Sequence, residues 1–312
     1  MLAGISARGE GHSSSRASLL SRAGQPGPHI GGASLNRSRG VLEGKVALIT
    51  GAGRGIGKDI ALGFTNAGAA VALTARTLNQ IETTAGEVNS CGGQAIAIAG
   101  DVSLQPDVEN VVAQALAAFE RIDVLVNNAG VITPIAPILE IDPEEWWQSI
   151  RINLFGTFLY SRAVIPGMRD QGGGKIINLS GAGDGMPNFT AYSSSKAAVT
   201  RLTETLAGEV ARFNIQVNAI APGAVATAIL QDVLDAGEKA GSQQLSNAQK
   251  AFEGDASSAR AVELATYLAS DASGDLTGKL ISARWDDWPW DERRTGELNA
   301  SDLYTLRRKD GR

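Results

Sequence analysis

The stretch Ile177 to Lys196 reads INLSGAGDGMPNFTAYSSSK and sets Tyr192 and Lys196 four residues apart. On a helix that spacing puts both side chains on one face. A free phenol titrates near ~10, and an adjacent ammonium is one of the positive charges that favour the phenolate and can bring that value toward neutrality. The pair can therefore give or take a proton at a reacting oxygen, an effect typically worth ~10²- to 10⁴-fold in rate. Composition closes the other routes to acid–base chemistry. The only histidines, His12 and His29, lie near the start of the chain, and there is one cysteine, Cys91. The rest of the chain cannot build a Ser-His-Asp or Cys-His nucleophile or an ordinary zinc site, so no metal is expected. One hydroxyl, Ser180, precedes the pair and is followed by Gly181.

A second constellation lies upstream. The apolar run Lys45 to Ile49 leads into Thr50-Gly51-Ala52-Gly53-Arg54-Gly55-Ile56-Gly57 and then a helical segment. Strand, glycine turn and helix follow in the order a dinucleotide site needs: glycines let the backbone approach a pyrophosphate, and a helix N-terminus offers free N–H groups. A site for NAD usually carries an acid about 20 residues further on, to bind the ribose 2′-hydroxyl. Here no acid occurs between Asp59 and Glu82, and the place is taken by Arg76. A guanidinium there, helped by Arg54, suits a 2′-phosphate. NADP is the expected cofactor, with NAD as the alternative.

These residues need a scaffold, and the pattern supplies one. From Lys45 onward, short Val-, Ile- and Ala-rich runs alternate with longer amphipathic segments, the signature of βαβ units around a buried parallel sheet. Strands are predicted near 45–50, 70–75, 94–99, 122–127, 175–180, 215–220 and 278–283, and helices over 56–67, 105–119, 143–169 and 190–213. Asp142-Pro143-Glu144-Glu145 supplies an N-cap, a first-turn proline and early acids. The fold class is α/β, a doubly wound parallel seven-stranded sheet in a single domain over 41–284. Residues 1–40, with Arg8, Arg16, Arg22, Arg37 and Arg39 against Glu10, show no period and read as a disordered extension or an organelle-import segment. Residues 285–312 form a Trp-rich C-terminal extension. The formal charge of -5 argues against nucleic-acid binding. No apolar run approaches the roughly 20 residues that span a bilayer, and a lone cysteine fits a reducing, cytoplasmic setting.

Taken in order, Thr50-Gly51 to Gly57, Asp101-Val102, Asn127-Asn128-Ala129-Gly130, Asn153, Tyr192 with Lys196, and Pro222-Gly223 followed by Thr227 resemble the short-chain dehydrogenase/reductase family over about residues 42 to 283. The resemblance is to the subgroup with a single Rossmann-like domain. It implies hydride transfer between NADP(H) and a secondary alcohol or carbonyl, with Tyr192 as acid/base and Lys196 as its activator. It also implies that Asp101 and Val102 flank the adenine, that Asn127 and Gly130 line the cleft, and that Val225 and Thr227 hold the nicotinamide carboxamide. Lys196 would hold the nicotinamide ribose, and Asn153 would support a proton-relaying water chain. Read without the family, Asp101 could cap the next helix and Asn127-Asn128 could simply make a turn. Relatives pair through helices like 143–169 and 190–213, so a homodimer or homotetramer is expected.

Two departures stand out. Family members usually carry a second serine where this chain has Gly181, and the segment to Tyr192 is about two residues shorter than usual. Ser180 shifted into place, the Gly181 N–H, or Asp184 could bind the substrate oxygen instead. The tail Leu280-Ile281-Ser282-Ala283-Arg284-Trp285-Asp286-Asp287-Trp288-Pro289-Trp290 replaces the family's usual ending. Its Trp residues could stack on a sugar while Asp286 and Asp287 bind hydroxyls, or could pack across a subunit interface. Arg307-Arg308-Lys309 reads as a solvated tail. Residues 225–258 hold one aromatic, Phe252, and suit a mobile lid over a small polar substrate such as a polyol. The competing reading is a nucleotide-bound scaffold or sensor with reduced catalysis.

Overall fold

The structure, a computed structural model, describes residues 40–181, 185–254 and 257–307. The expectations for residues 1–39, Asp184 and Arg308-Lys309 lie outside the described residues. Seven parallel strands form one sheet: β1 Val46–Thr50, β2 Ala70–Ala75, β3 Ala95–Ala99, β4 Val124–Asn127, β5 Gly174–Leu179, β6 Ile215–Ala221 and β7 Leu280–Ser282, in the order β3-β2-β1-β4-β5-β6-β7. Every predicted strand is present. Alternate residues of one strand feed opposite faces of the sheet, and helices cover both. Ile49, Val126 and Ile177 pack with Ile60 and Phe64 of α1 (Gly55–Asn66) and with Leu264 and Leu268 of the helix Ala259–Ala269. Leu48, Leu125 and Ile176 pack on the other side with Leu159, Tyr160 and Met168.

Strand order reverses between β1 and β4, and the crevice beyond the carboxyl ends of strands at such a switch point is where α/β sheets take ligands. The intervening helices are α2 (Leu78–Ser90) and α3 (Gln105–Phe119). The segment predicted as one helix over 143–169 is helical throughout, as α4 (Pro143–Ile150), a π bulge over Arg151–Phe155, and α5 (Gly156–Asp170). Asp142 caps α4 as expected, accepting from the N–H groups of Glu144 and Glu145 at 2.8 and 3.2 Å. Helix α6 runs Thr190–Val210; α7 (Ala228–Asp235) and α8 (Ser242–Glu253) occupy the segment expected as a lid, and α9 is Ala259–Ala269. No described helix is long and apolar enough to cross a membrane.

The C-terminal extension packs onto its own sheet rather than projecting from it. The Leu280 N–H on β7 donates to the Tyr304 carbonyl at 2.7 Å, and the buried Lys279 ammonium donates to the carbonyls of Ser301 and Leu303 at 2.8 and 3.2 Å. Trp288 stacks on Tyr267 with centroids 6.3 Å apart, and Trp290 leans on Tyr304 at 5.4 Å. Of the three tail tryptophans only Trp285 is widely exposed, at 76%. Asp286 is spent on the chain itself, accepting from the Ser282 N–H at 2.6 Å, and Arg307, exposed as expected, pairs with Glu204 at 2.7 Å. Leu298, on α10 (Glu292–Asn299), is fully buried against the main core. Leu298→Ala should therefore cost about 2–5 kcal/mol of stability, read by denaturant unfolding; an unchanged midpoint would show that the extension is not part of the cooperative fold.

Candidate active site and nucleotide cleft

The turn after β1 is stitched to the turn after β4. The buried Thr50 hydroxyl accepts from the N–H groups of Asn128 and Ala129, both at 3.0 Å, while the Asn128 side-chain amide donates to the carbonyls of Thr50 and Gly51 at 2.9 and 3.1 Å. Gly51 and Gly55 have φ of 64° and 54°, which favours glycine. A Cβ at Gly51 would stand 2.9 Å from Ala129 Cα, and one at Gly57 would overlap the Gly51 carbonyl and the Asn128 side chain. The bare backbone thus leaves a cavity of about 540 Å³ facing the start of α1, whose N-cap, Arg54, makes no side-chain cap and whose first turn carries no acid. A helix end left this way favours an anionic group.

The cleft is lined by Gly51, Gly53, Arg54, Gly55 and Ile56 from this turn, by Arg76 beyond β2, by Asp101 and Val102 beyond β3, by Ala129 and Gly130 beyond β4, and by Thr227 at the start of the lid. Thr50 and Gly57 lie beneath it as supports. Asn127 is buried and donates to Asn178 at 2.9 Å and Ser161 at 3.2 Å, so it binds the strands together rather than lining the cavity. Val225 is buried, and Pro222 and Gly223 are not among the lining residues; Gly223 lies beside Arg284 instead. Asp101 also caps the following turn, accepting from Ser103 N–H and hydroxyl at 2.8 and 2.7 Å. The bare turn, the uncapped helix end and two arginines fit a dinucleotide phosphate group. Phe252, Gln231 and Asp232 also wall the cleft. No sequence signal near the glycine turn could have revealed them, because the lid brings them there from far along the chain.

Tyr192 and Lys196 occupy the first turns of α6, and the Lys196 ammonium lies 5.8 Å from the Tyr192 ring centroid. Lys196 is 5% exposed and donates to the Leu179 carbonyl, at the end of β5, at 2.6 Å. Asn153 sits in the π turn, where its side chain accepts from Val131 N–H at 2.8 Å and donates to the Val131 carbonyl at 2.8 Å and Ser195 Oγ at 3.0 Å. Ser195 in turn donates to the Tyr192 carbonyl at 2.8 Å. A Cβ on Gly130 would lie 3.2 Å from Asn153 Oδ1 and 3.5 Å from Lys196 Nζ. Gly130 therefore joins the cleft to the Tyr192–Lys196 pair. Burial pushes the Tyr192 phenol up to about 12 and the Lys196 ammonium down to about 8. In this cofactor-free state, desolvation, which penalises both charged forms, outweighs the pull of the ammonium on the phenol.

Ser180 does not occupy the place of the missing hydroxyl. It is 3% exposed, and its Oγ bonds to the Lys196 carbonyl at 3.1 Å and Thr200 Oγ1 at 3.0 Å, on α6. Gly181 is the position that faces the tyrosine: a Cβ there would stand 2.8 Å from Tyr192 Oη.

A sequence model of the short chain dehydrogenase family matches residues 45–238. The chain belongs to the short-chain dehydrogenase/reductase family. It is similar, at 35% identity over 79% of its length and 96% of the relative's, to a short chain dehydrogenase/reductase of Aspergillus oryzae. It is 37% identical to a 3-oxoacyl-[acyl-carrier-protein] reductase of Thermotoga maritima over 77% of this chain and 96% of the other. Among solved structures, an NAD⁺-bound xylitol dehydrogenase aligns with a TM-score of 0.72 at 32% identity, over 77% of this chain and 98% of that one. As a member of this family the protein is an NAD(P)-dependent oxidoreductase acting on small molecules.

The depressed lysine has a measurable consequence in the cofactor-free short-chain enzyme. Lys196 titrates near 8 when folded and near 10.5 when unfolded, so between those values the unfolded chain holds more protons and stability rises with pH. Denaturant unfolding across that window should show a gain that is smaller in Lys196→Met, by ~1–3 kcal/mol. Parallel pH profiles for the two proteins would contradict this environment for Lys196.

Proposed function

We propose that this enzyme interconverts a secondary alcohol and the corresponding ketone or aldehyde, with NADP preferred over NAD. The observation that carries the proposal is the convergence of Tyr192, Lys196, Asn153 and the bare Gly130 at one end of a glycine-lined nucleotide cleft. When bound, the nicotinamide cofactor supplies or accepts the hydride at the substrate carbon. Tyr192 takes the hydroxyl proton in oxidation and returns it to the carbonyl oxygen in reduction. Lys196, held at the Leu179 carbonyl, favours the phenolate and would hold the nicotinamide ribose. Asn153 fixes the loop after β4 against α6 and keeps the tyrosine backbone in register through Ser195. Arg76 and Arg54, both exposed and both on the cleft, suit a 2′-phosphate.

With Ser180 engaged by α6, the substrate oxygen is held by the Tyr192 hydroxyl and the Gly181 backbone. Gly181 also leaves room directly against the tyrosine. The lid over the cleft, α7 and α8, offers one aromatic, Phe252, which favours a small polar substrate. A polyol or sugar derivative, the class acted on by the xylitol dehydrogenase, fits better than an acyl chain or steroid. Trp147, Phe155 and Phe158 on α4, the π turn and α5 are exposed, and Phe155 and Phe158 stack at 6.0 Å, a face suited to pairing two copies into a homodimer or homotetramer.

Steady-state kinetics and cofactor titration test this assignment together. Tyr192→Phe should lower kcat by at least ~10²-fold with cofactor affinity retained. Ser180→Ala should leave kcat within about threefold, whereas a loss of ~10² to 10³ would return Ser180 to the substrate oxygen. Silence of the wild type toward polyols, sugars and small ketones, with cofactor still bound, would favour the sensor reading.

A further inference from the structure

Four residues border both the nucleotide cleft and a second cavity of about 990 Å³ beside it: Arg76, Val131, Ile152 and Asp232. Two are apolar and two carry opposite charges. Arg76 leaves the carboxyl end of β2. Asp232 reaches the same junction from helix α7.

A contact at its N-cap, Thr227, ties that helix to the glycine turn. Thr227 packs over the glycine turn so closely that a Cβ on Gly55 would lie 3.1 Å from its Cγ2. From this pin, Ala228, Gln231 and Asp232 recur at helical spacing and present one face to the cleft. Burial raises the Asp232 carboxyl above the ordinary range, with Arg54 pulling it back and Asp235 adding to the rise. Among the described residues, Arg54, Arg76 and Asp232 make no ion pair. All three therefore remain available to a ligand in the cleft, two as cations and one as an anion.

We infer that Asp232 reads the 2′ position of the cofactor ribose opposite Arg76, accepting a 2′-hydroxyl and repelling a 2′-phosphate. The lid thus tempers the NADP preference that the two arginines create, and cofactor choice is set by a residue far in sequence from the glycine turn. This inference rests on the reading of Arg76 as the 2′-phosphate partner. A carboxylate facing a phosphate in a partly solvated cleft changes affinity by about five- to tenfold.

The test is equilibrium binding, by tryptophan fluorescence or calorimetry, of NADP and NAD to the full chain, without turnover. Asp232→Asn should tighten NADP about five- to tenfold while NAD is unchanged or weakened, and Asp232→Glu should keep the wild-type ratio. Equal changes for both cofactors, or no change, in an Asp232→Asn protein of wild-type melting temperature would overturn the inference. Arg76→Ala separates the two readings: it should weaken NADP relative to NAD by about tenfold. If Arg76→Ala leaves the ratio unmoved, the NADP reading fails and this inference falls with it. If Arg76→Ala moves the ratio and Asp232→Asn does not, only the role of Asp232 is lost.

Discussion

An ammonium buried under a phenol is the constraint around which this molecule is arranged. Lys196 is almost fully enclosed and reaches one carbonyl, that of Leu179, at 2.6 Å. Removing a lysine from water without a counter-ion is unfavourable, and its depressed titration reflects that cost. The surrounding elements make the position tolerable and useful: β5 delivers the accepting carbonyl, α6 carries tyrosine and lysine on one face, and Gly130 leaves the ammonium an open side. Even the π bulge between α4 and α5 serves this arrangement, since it is where Asn153 can clamp the Val131 backbone and hold Ser195. Single-turn π bulges of this kind are frequent at functional sites.

The nucleotide cleft depends on the same economy of side chains. Gly51, Gly55 and Gly57 keep the backbone bare where the turns after β1 and β4 approach each other, and Thr50 and Asn128 replace the missing side-chain packing with hydrogen bonds between the two turns. Gly130 follows directly on that stitched turn and lies against Asn153 and Lys196, so the glycine turn and the Tyr192–Lys196 pair share one corner of the fold. Thr227 joins the lid to the same turn. Cofactor, acid/base and lid are thereby referred to one rigid corner of the sheet.

Much of this was legible in the sequence. Buried parallel strands read as uninterrupted Val, Ile and Ala runs, so β1 to β7 could be located closely, and the glycine turn, Arg76 and the Tyr192–Lys196 spacing depend on local order. Other features did not have a local cause. The helix expected over 143–169 carries a π bulge where Asn153 meets Val131, a tertiary contact that no local spacing announces. Ser180 was a candidate for the absent hydroxyl until the chain's direction at the end of β5 turned it onto Thr200 and left Gly181 facing the tyrosine. The Trp-rich extension looked free for ligand or partner, but the open edge of β7 and the buried Lys279 bind it back. Asp232 reaches the cleft only through the fold of the lid.

Tyr192, the proposed acid/base, has a proton affinity raised by burial to about 12 in the cofactor-free protein, and the positive charge gathered at the site when oxidised cofactor binds should lower it. Ultraviolet difference titration of wild type against Tyr192→Phe, with and without oxidised cofactor, measures this directly. Without cofactor the two proteins should titrate alike up to pH ~10.5, and with it the wild type should show one extra phenolate step below pH ~9. Identical titrations of the two proteins in the presence of bound cofactor would contradict the account.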